Sequence, residues 1–248
     1  SLNHIVLKLI DIIMESAPYG VFALLAALIV DIAGDDPADT ISLFKALGVY
    51  GITVIIGLLM MIFVVYPIFL KIFTRVKYSR FARKISPVQL LAFSTSSSAA
   101  TLPLTMETAE EKLGINNETS SFVLPLGATI NMDGTSLYQA VAAVFLAQVY
   151  GMDLGLSEQL TIILTATLAS IGSAAVPGAG MVMLIIVLTS VGIPTEGIAL
   201  IFAVDRPLDM LRTSVNVTGD LTITSIIAGS ENQIDLNIAN SEEILGNH

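Results

Sequence analysis

Apolar residues run through this chain in blocks longer than a soluble core needs. About 20 consecutive apolar residues cross the hydrocarbon of a bilayer, and four windows reach that length: 5–32, 43–73, 121–150 and 196–228. Two further apolar regions, 86–112 and 158–192, are each broken near the middle. The breaks are "STSSSAATLP" (94–103) and "SIGSAAVPGAG" (170–180), rich in small and turn-forming residues. Each half is too short to span, so the pattern predicts two re-entrant helical hairpins. Irregular backbone at membrane depth survives only where protein or a water-filled cavity satisfies its polar groups. The alternative is a pair of kinked helices in which Ser and Pro adjust helix packing.

A weak internal repeat favours hairpins. "SAATLP" (98–103) is echoed by "SAAVP" (173–177), and each is followed by a helix containing N-x-x-G, "NMDG" (131–134) and "NVTG" (216–219). Hairpin plus helix thus occurs twice, as in the inverted repeats of secondary transporters. The fold class expected is an all-α polytopic membrane protein, with spanning helices and two re-entrant hairpins in an inverted repeat. Its divisions are 1–40, a spanning helix and outer loop; 41–84, a spanning helix and basic loop; 85–230, a core holding both hairpins; and 231–248, a polar C-terminal tail.

Composition agrees with a membrane setting. Only 13% of the 248 residues are charged and 54% are hydrophobic, with mean hydropathy +0.82, against about 25% charged in soluble domains. Eleven basic against 21 acidic residues argue against nucleic acid, which needs a basic face. The absence of cysteine removes disulfides and thiolate ligands, and His4 and His248 sit at the extreme ends, which speaks against a zinc site or a histidine triad. No Gly-rich phosphate loop occurs. The chain opens on Ser1 without a signal-peptide pattern and reads as the C-terminal part of a longer protein. Six of the eleven Lys and Arg lie in 71–84 and four Asp in 31–40. The basic segment is therefore expected in the cytoplasm, and the C-terminus with it.

The segment "DRPLDMLRTSVNVTGD" (205–220) carries five charges inside a hydrophobic helix. At about 100° per residue, Asp205, Asp209, Arg212, Thr213, Asn216 and Asp220 share a face, with Arg206 at its edge. A charge at the bilayer centre costs about 2.5–3.5 kcal/mol even on the lenient scale. Five facing lipid would cost on the order of 10 kcal/mol or more, so the stripe must face protein, ions or a polar ligand. Internal pairing, Asp209 with Arg212 or Asp205 with Arg206, accounts for part of it and leaves Asp220 alone. In "PLGATINMDGTSLYQ" (125–139), Asn131, Asp133 and Gly134 make poor helix interior. An unwound turn there would free carbonyls beside Thr129 and Asp133, an oxygen-rich setting suited to hard alkali cations. Six of residues 94–101 are Ser or Thr, and helix N-termini at such a tip favour an anion.

"STSSSAATLP", "PLGATINMDGT", "ASIGSAAVPGAG" and "DMLRTSVNVTGD" resemble, in order and content, the motifs of the dicarboxylate/amino acid:cation symporter family, over nearly the whole chain to about residue 230. The resemblance implies the fifth to eighth spanning helices and both hairpins of a homotrimeric carrier, in which a transport domain slides against a fixed scaffold. It implies that Ser97 and Ser98, the second tip around Val176 and Gly180, and Thr135 enclose an acidic amino acid. Arg212 would bind its side-chain carboxylate, Asp209 its ammonium, and Thr213 and Asn216 its other polar groups. One sodium ion would lie among Asp220, Gly127, Asn131 and Asn216. A second would lie among Thr129, Met132, Ser170, Ile171 and Ser173, and a third near Asp133 and Asn131. Ser173 and Ala175 stand where relatives often have Thr and Gly.

Charge counting reaches a similar number of ions. Asp133, Asp205, Asp209 and Asp220 against Arg206 and Arg212 leave −2, and an acidic amino acid makes it −3. Burying that uncompensated would be prohibitive, which motivates co-binding of about three cations. The leading expectation is a sodium-coupled symporter of L-aspartate or L-glutamate in the cell membrane, not an enzyme. Proton coupling, a channel, or a non-transporting membrane fragment remain as alternatives.

Overall fold

The computed structural model describes residues 37–242 without a gap, and before them only Lys8, Tyr19, Phe22, Ala23 and Ala26. Apart from those positions, the expected span 5–32 lies outside the described residues, as do residues 243–248. Among the described residues the chain is helical, with no strand and an isolated antiparallel bridge between Ile115 and Ile234.

The first described helix, α1 (Pro37–Met60), runs through a π-helical turn (Met61–Val65) into α2 (Tyr66–Phe73). The widened turn has a local cause. Pro67 has no N–H to donate and its ring crowds the carbonyl four residues back, and a π turn there relieves the crowding. Within this rod, Ile41–Phe73 is the one helix among the described residues that is long and apolar enough to cross a membrane. It corresponds to the expected span 43–73. Leu47, Tyr50, Val54 and Leu58 are buried at helical spacing, whereas Ile52, Ile56, Phe63 and Ile72 are exposed.

Only residues 74–77 separate α2 from α3 (Tyr78–Thr95). The basic stretch 71–84, expected as a loop, is mostly helical. Inside α3, Pro87 leaves the Arg83 carbonyl without its helical donor, and Ser86 Oγ supplies one at 2.9 Å. A two-residue break leads to α4 (Ser98–Glu107), which passes through a second π turn (Thr108–Lys112) towards α5 (Asn117–Ile130). The expected helix 121–150 is two helices, α5 and α6 (Asp133–Val149), interrupted at Asn131 and Met132, whose backbones are non-helical. Next come α7 (Leu156–Ile171) and α8 (Ala179–Ser190), two short apolar helices that pack on each other across the break 172–178.

The last long helix, α9 (Ile198–Ser230), is the axis of the molecule, touching α1, α2, α3, α4, α5 and α6. Every residue from 212 to 222 is buried, although most are polar. Hydroxyls there turn back onto their own helix: Thr213, Thr218, Thr222, Thr224 and Ser225 each donate to the carbonyl four residues earlier, at 2.6–2.9 Å. The remaining polar groups of this stretch supply the site described below.

Residues 231–242, expected as a tail, fold back instead. Helix α10 (Leu236–Asn240) is capped by Asp235, whose Oδ1 accepts from the N–H groups of Asn237 and Ile238. Asp235 N–H donates to Gly114 O at 2.8 Å and Asn116 N–H to Gln233 O at 2.9 Å. Lys84 is buried beneath this strap. Its ammonium donates to Lys112 O and Ser241 Oγ, each at 2.9 Å, and to Ile238 O.

Candidate functional site

The two non-helical breaks meet. Ser96 adopts a left-handed conformation (φ 51°), unusual for a residue with a Cβ, and this turns the chain from α3 into α4. Ser97 then caps α4: its Oγ accepts from Ala100 N–H at 3.1 Å and donates to Ala175 O at 2.7 Å in the second break. Ala99 N–H approaches the same carbonyl at 3.4 Å. In the second break Gly178, at φ 78°, opens α8 and donates its N–H to Asp209 Oδ2 at 3.0 Å. The first tip therefore bonds to the second, and the second to α9.

Arg212 lies beneath them, 2% exposed. Its Nη2 is 2.5 Å from Asp209 Oδ1 and its Nη1 is 3.5 Å from Asp205 Oδ1. The guanidinium carbon sits 4.0 Å above the ring of Tyr138 on α6. Arg206 is 48% exposed by its side chain and 4.0 Å from Asp209. Asp205 thus pairs with Arg212, seven residues on, rather than with its neighbour. Adjacent helical residues point about 100° apart and cannot face each other.

A cavity of about 20 Å³ opens beside Arg212, lined by Ser96, Ser98, Met132, Thr135, Ser173, Ala174, Ala175, Val176, Gly180, Asp209, Arg212, Thr213 and Asn216. It has room for about one water molecule. Of the expected substrate set, all but Ser97 line it, since the Ser97 hydroxyl is spent on the two chain contacts. Gly180 is held by Gln139, whose Nε2 donates to its carbonyl at 2.8 Å. A Cβ on Gly180 would lie 3.0 Å from Thr135 Cγ2 and 3.4 Å from Arg212 Cζ. Two buried polar atoms at this cavity, Ser96 Oγ and Arg212 Nη1, make no hydrogen bond among the described residues.

The expected cation ligands divide. Asn131 Nδ2 donates to Asp220 Oδ1 at 2.9 Å, and a Cβ on Gly127 would lie 2.8 Å from that oxygen. Asp133 Oδ2 accepts from Tyr66 OH at 3.0 Å, which also reaches Val215 O at 3.1 Å. Gly219 packs against both groups: a Cβ there would meet Asp133 Oδ2 at 2.9 Å and Asn131 Nδ2 at 3.0 Å. Gly127, Asn131, Asp133, Gly219 and Asp220 form one cluster, and neither carboxylate has a cationic partner among the described residues. Asn216 is turned the other way, accepting from Gly134 N–H at 2.8 Å and donating to Thr135 Oγ1 at 3.1 Å.

The second expected set is less gathered. Met132 and Ser173 line the cavity and Ser170 is buried. Ile171 and Thr129 are exposed, and the Thr129 hydroxyl bonds to Leu126 O at 2.8 Å within its own helix. Sequence reasoning missed Ser96, Tyr66, Tyr138 and Gln139. The aromatic residues sit in apolar runs where they are indistinguishable from core, and only the tertiary contacts reveal them.

Among known proteins, the profile described as the Sodium:dicarboxylate symporter family matches residues 1–230. The chain is 43% identical over 226 residues to an "Excitatory amino acid transporter" of Caenorhabditis elegans, covering 91% of this chain and 44% of that protein. It is 45% identical over 227 residues to "Excitatory amino acid transporter 3" of Mus musculus, covering 92% and 42%. Against "Excitatory amino acid transporter 2" of Homo sapiens it is 47% identical over 219 residues, covering 88% and 37%. It spans less than half the length of these relatives. The family match over most of the chain, with the four motifs converging on one buried site, means that this chain belongs to the sodium:dicarboxylate symporter family.

Proposed function

We propose that this chain forms the substrate- and ion-holding part of a sodium-coupled symporter of acidic amino acids, L-aspartate or L-glutamate, in the cell membrane. The carrying observation is Arg212, buried beneath both breaks, whose Nη1 is ion-paired with Asp205 but makes no hydrogen bond, as Ser96 Oγ at the same cavity makes none. A guanidinium is the group suited to two-point recognition of a carboxylate. On this reading the substrate's side-chain carboxylate takes the place of Asp209 at Arg212. Asp209 then turns to the ammonium, and Thr135, Thr213, Asn216 and Ser98 hold the remaining polar atoms.

An amino acid does not fit a cavity of about 20 Å³, so binding requires the second break, with Val176 and Gly180, to move off Asp209. On this reading the pair α7–α8 serves as the outer gate, and both broken pairs are taken as re-entrant hairpins in an inverted repeat. Sodium is cargo as well as counter-charge. Asp133 and Asp220 are two carboxylates without cationic partners, and the substrate adds a third negative charge, which supports about three sodium ions per cycle. Gly127, Asn131, Asn216 and Asp220 supply oxygens for one ion and Asp133 with Asn131 for another. Thr129, Met132, Ser170, Ile171 and Ser173 would serve a third once the gate has moved. A homotrimer with an elevator-like transport domain, and a cytoplasmic C-terminus, complete the proposal.

The test is calorimetric binding of L-aspartate and L-glutamate to the chain, and to a longer form carrying the preceding helices, in sodium and in potassium. Sodium-dependent binding, abolished in Arg212→Lys, is expected. Binding indifferent to sodium would point to proton coupling, and no binding by the longer form would overturn the carrier reading.

A further inference from the structure

A second cavity, of about 410 Å³, lies at the C-terminal end of α9, away from the mid-helix stretch that meets the two breaks. It is walled by the end of α2, the link 74–77 and the turn after α9, with Ile72, Phe73, Arg75, Asn232 and Leu236 among its lining. It sits where the apolar rod Ile41–Phe73 stops and the basic stretch begins. Ile68, Phe69, Ile72 and Phe73 are exposed on the rod just before it. We infer that this cavity, with Arg75 in its wall and Lys71 and Lys77 close to its lining residues in sequence, binds the headgroup of an anionic phospholipid, with its acyl chains along those four apolar residues.

Charge decides between a ligand site and ordinary capping. Basic residues near helix ends commonly do no more than offset the helix dipole, worth roughly half a charge per end. Two helix ends, those of α2 and α9, meet here, so about one negative charge is available from that source, and exposed Glu231 adds one more. Against these stand Lys71, Arg75, Lys77 and Arg83, all exposed and without an ion pair among the described residues. Glu242 is balanced by Arg80, whereas exposed Asp235, which caps α10, adds one more negative charge. An excess of about one positive charge remains at the end of the apolar rod. Arg75 and Lys77 are held in position through their backbones, Arg75 O accepting from Asn240 Nδ2 at 3.2 Å and Lys77 N–H donating to Asn240 Oδ1 at 2.8 Å. Their side chains are left for a ligand.

The inference rests on the membrane reading but not on the transport reading. The whole chain would be assembled into nanodiscs of equal phosphatidylcholine and phosphatidylglycerol, extracted in mild detergent, and its retained lipid counted by mass spectrometry. Retained phosphatidylglycerol is expected to exceed phosphatidylcholine and to fall about fivefold for each cation removed in Arg75→Gln and Lys77→Gln. Arg75→Lys with Lys77→Arg restores it, and Lys45→Gln, on α1, leaves it unchanged. On the unaltered chain, raising salt should erode the preference, which keeps the test valid should the Gln variants misfold. Equal retention of both lipids, or a preference untouched by the double Gln variant, overturns the site and leaves the carrier reading standing. Displacement by excess glycerol phosphate would show a bare phosphate site and overturn the lipid assignment. Failure to enter nanodiscs would overturn both.

Discussion

The backbone N–H of Gly134 donates to the side-chain oxygen of Asn216 at 2.8 Å. Each belongs to an N-x-x-G segment, 131–134 on the broken helix and 216–219 on α9, and the relation is reciprocal. Gly219 packs against Asn131, while a Cβ on Gly134 would lie 2.8 Å from Arg212 O and 3.1 Å from Asn216 Oδ1. The two motifs cross with the glycine of each against the asparagine of the other. Backbone cannot move aside as a flexible side-chain end can, so Gly134→Ala should push α6 off α9, at about 1–3 kcal/mol for overpacking. Thermal unfolding in detergent checks the stability loss. Substrate binding should weaken as well, because Thr135 and Asn216 move with the crossing.

Gly127→Ala separates ion binding from substrate binding. The added methyl would meet the Asp220 side chain first, 2.8 Å from Oδ1, and the carboxylate must then turn away from Asn131. The sodium concentration giving half-maximal aspartate binding should rise about tenfold, a cost of roughly 1.4 kcal/mol. Affinity at saturating sodium should change little, since Gly127 does not line the cavity at Arg212. A sodium titration of binding reads both numbers. An unchanged sodium dependence would remove Asp220 from the ion-holding group.

Much of this arrangement was legible in the sequence because its chemistry is local. The breaks at 94–103 and 170–180 show in the composition, and the helical period alone puts Asp205, Asp209, Arg212, Asn216 and Asp220 on one face. All five are buried. What stayed hidden depends on contacts between distant segments. Six basic residues in 71–84 set that stretch apart from the apolar runs, but Lys and Arg are good helix formers, so charge says nothing against α2 and α3 running through them. Residues 231–242 read as a tail because a polar composition does not disclose that Gly114, Asn116 and Lys84 await them. Likewise the hydroxyl of Tyr66, 67 residues from Asp133, carries no local signal.

Lys84 holds that strap. Burial, with Arg80 adding to it, pushes its ammonium below the ordinary lysine range, yet three acceptors surround it. Lys84→Met relieves the desolvation cost but leaves the partly buried Lys112 carbonyl without this donor, a penalty of about 1 kcal/mol. Ile238 O keeps Ser241 Oγ as a partner at 2.9 Å, so the loss falls on the link between the strap and the π turn. Hydrogen exchange should quicken in 236–242 and 108–114 while residues 212–222 stay protected. Uniform loss of protection would instead make Lys84 part of the global core.

The strap should also respond to acid. Glu242 is hydrogen-bonded to Arg80, and that bond, followed by the charges of Arg80 and then Arg83, holds its carboxyl below the ordinary glutamate value of 4.5. A carboxyl whose folded value is depressed stabilises the folded state fully above its unfolded value, and the contribution is lost as pH falls through the folded value. Docking of 236–242 is therefore expected to be constant from neutral pH down to about 4.5 and to weaken below it. Glu242 is exposed, so the effect is local and screened by salt. Exchange rates in this segment, corrected for intrinsic chemistry, should show the acid-side rise in the unaltered chain. Glu242→Gln should have the faster exchange already at neutral pH and no further rise. If the acid-side rise persists in Glu242→Gln, another carboxylate controls the strap, and Asp235, which caps α10, is the one to replace next.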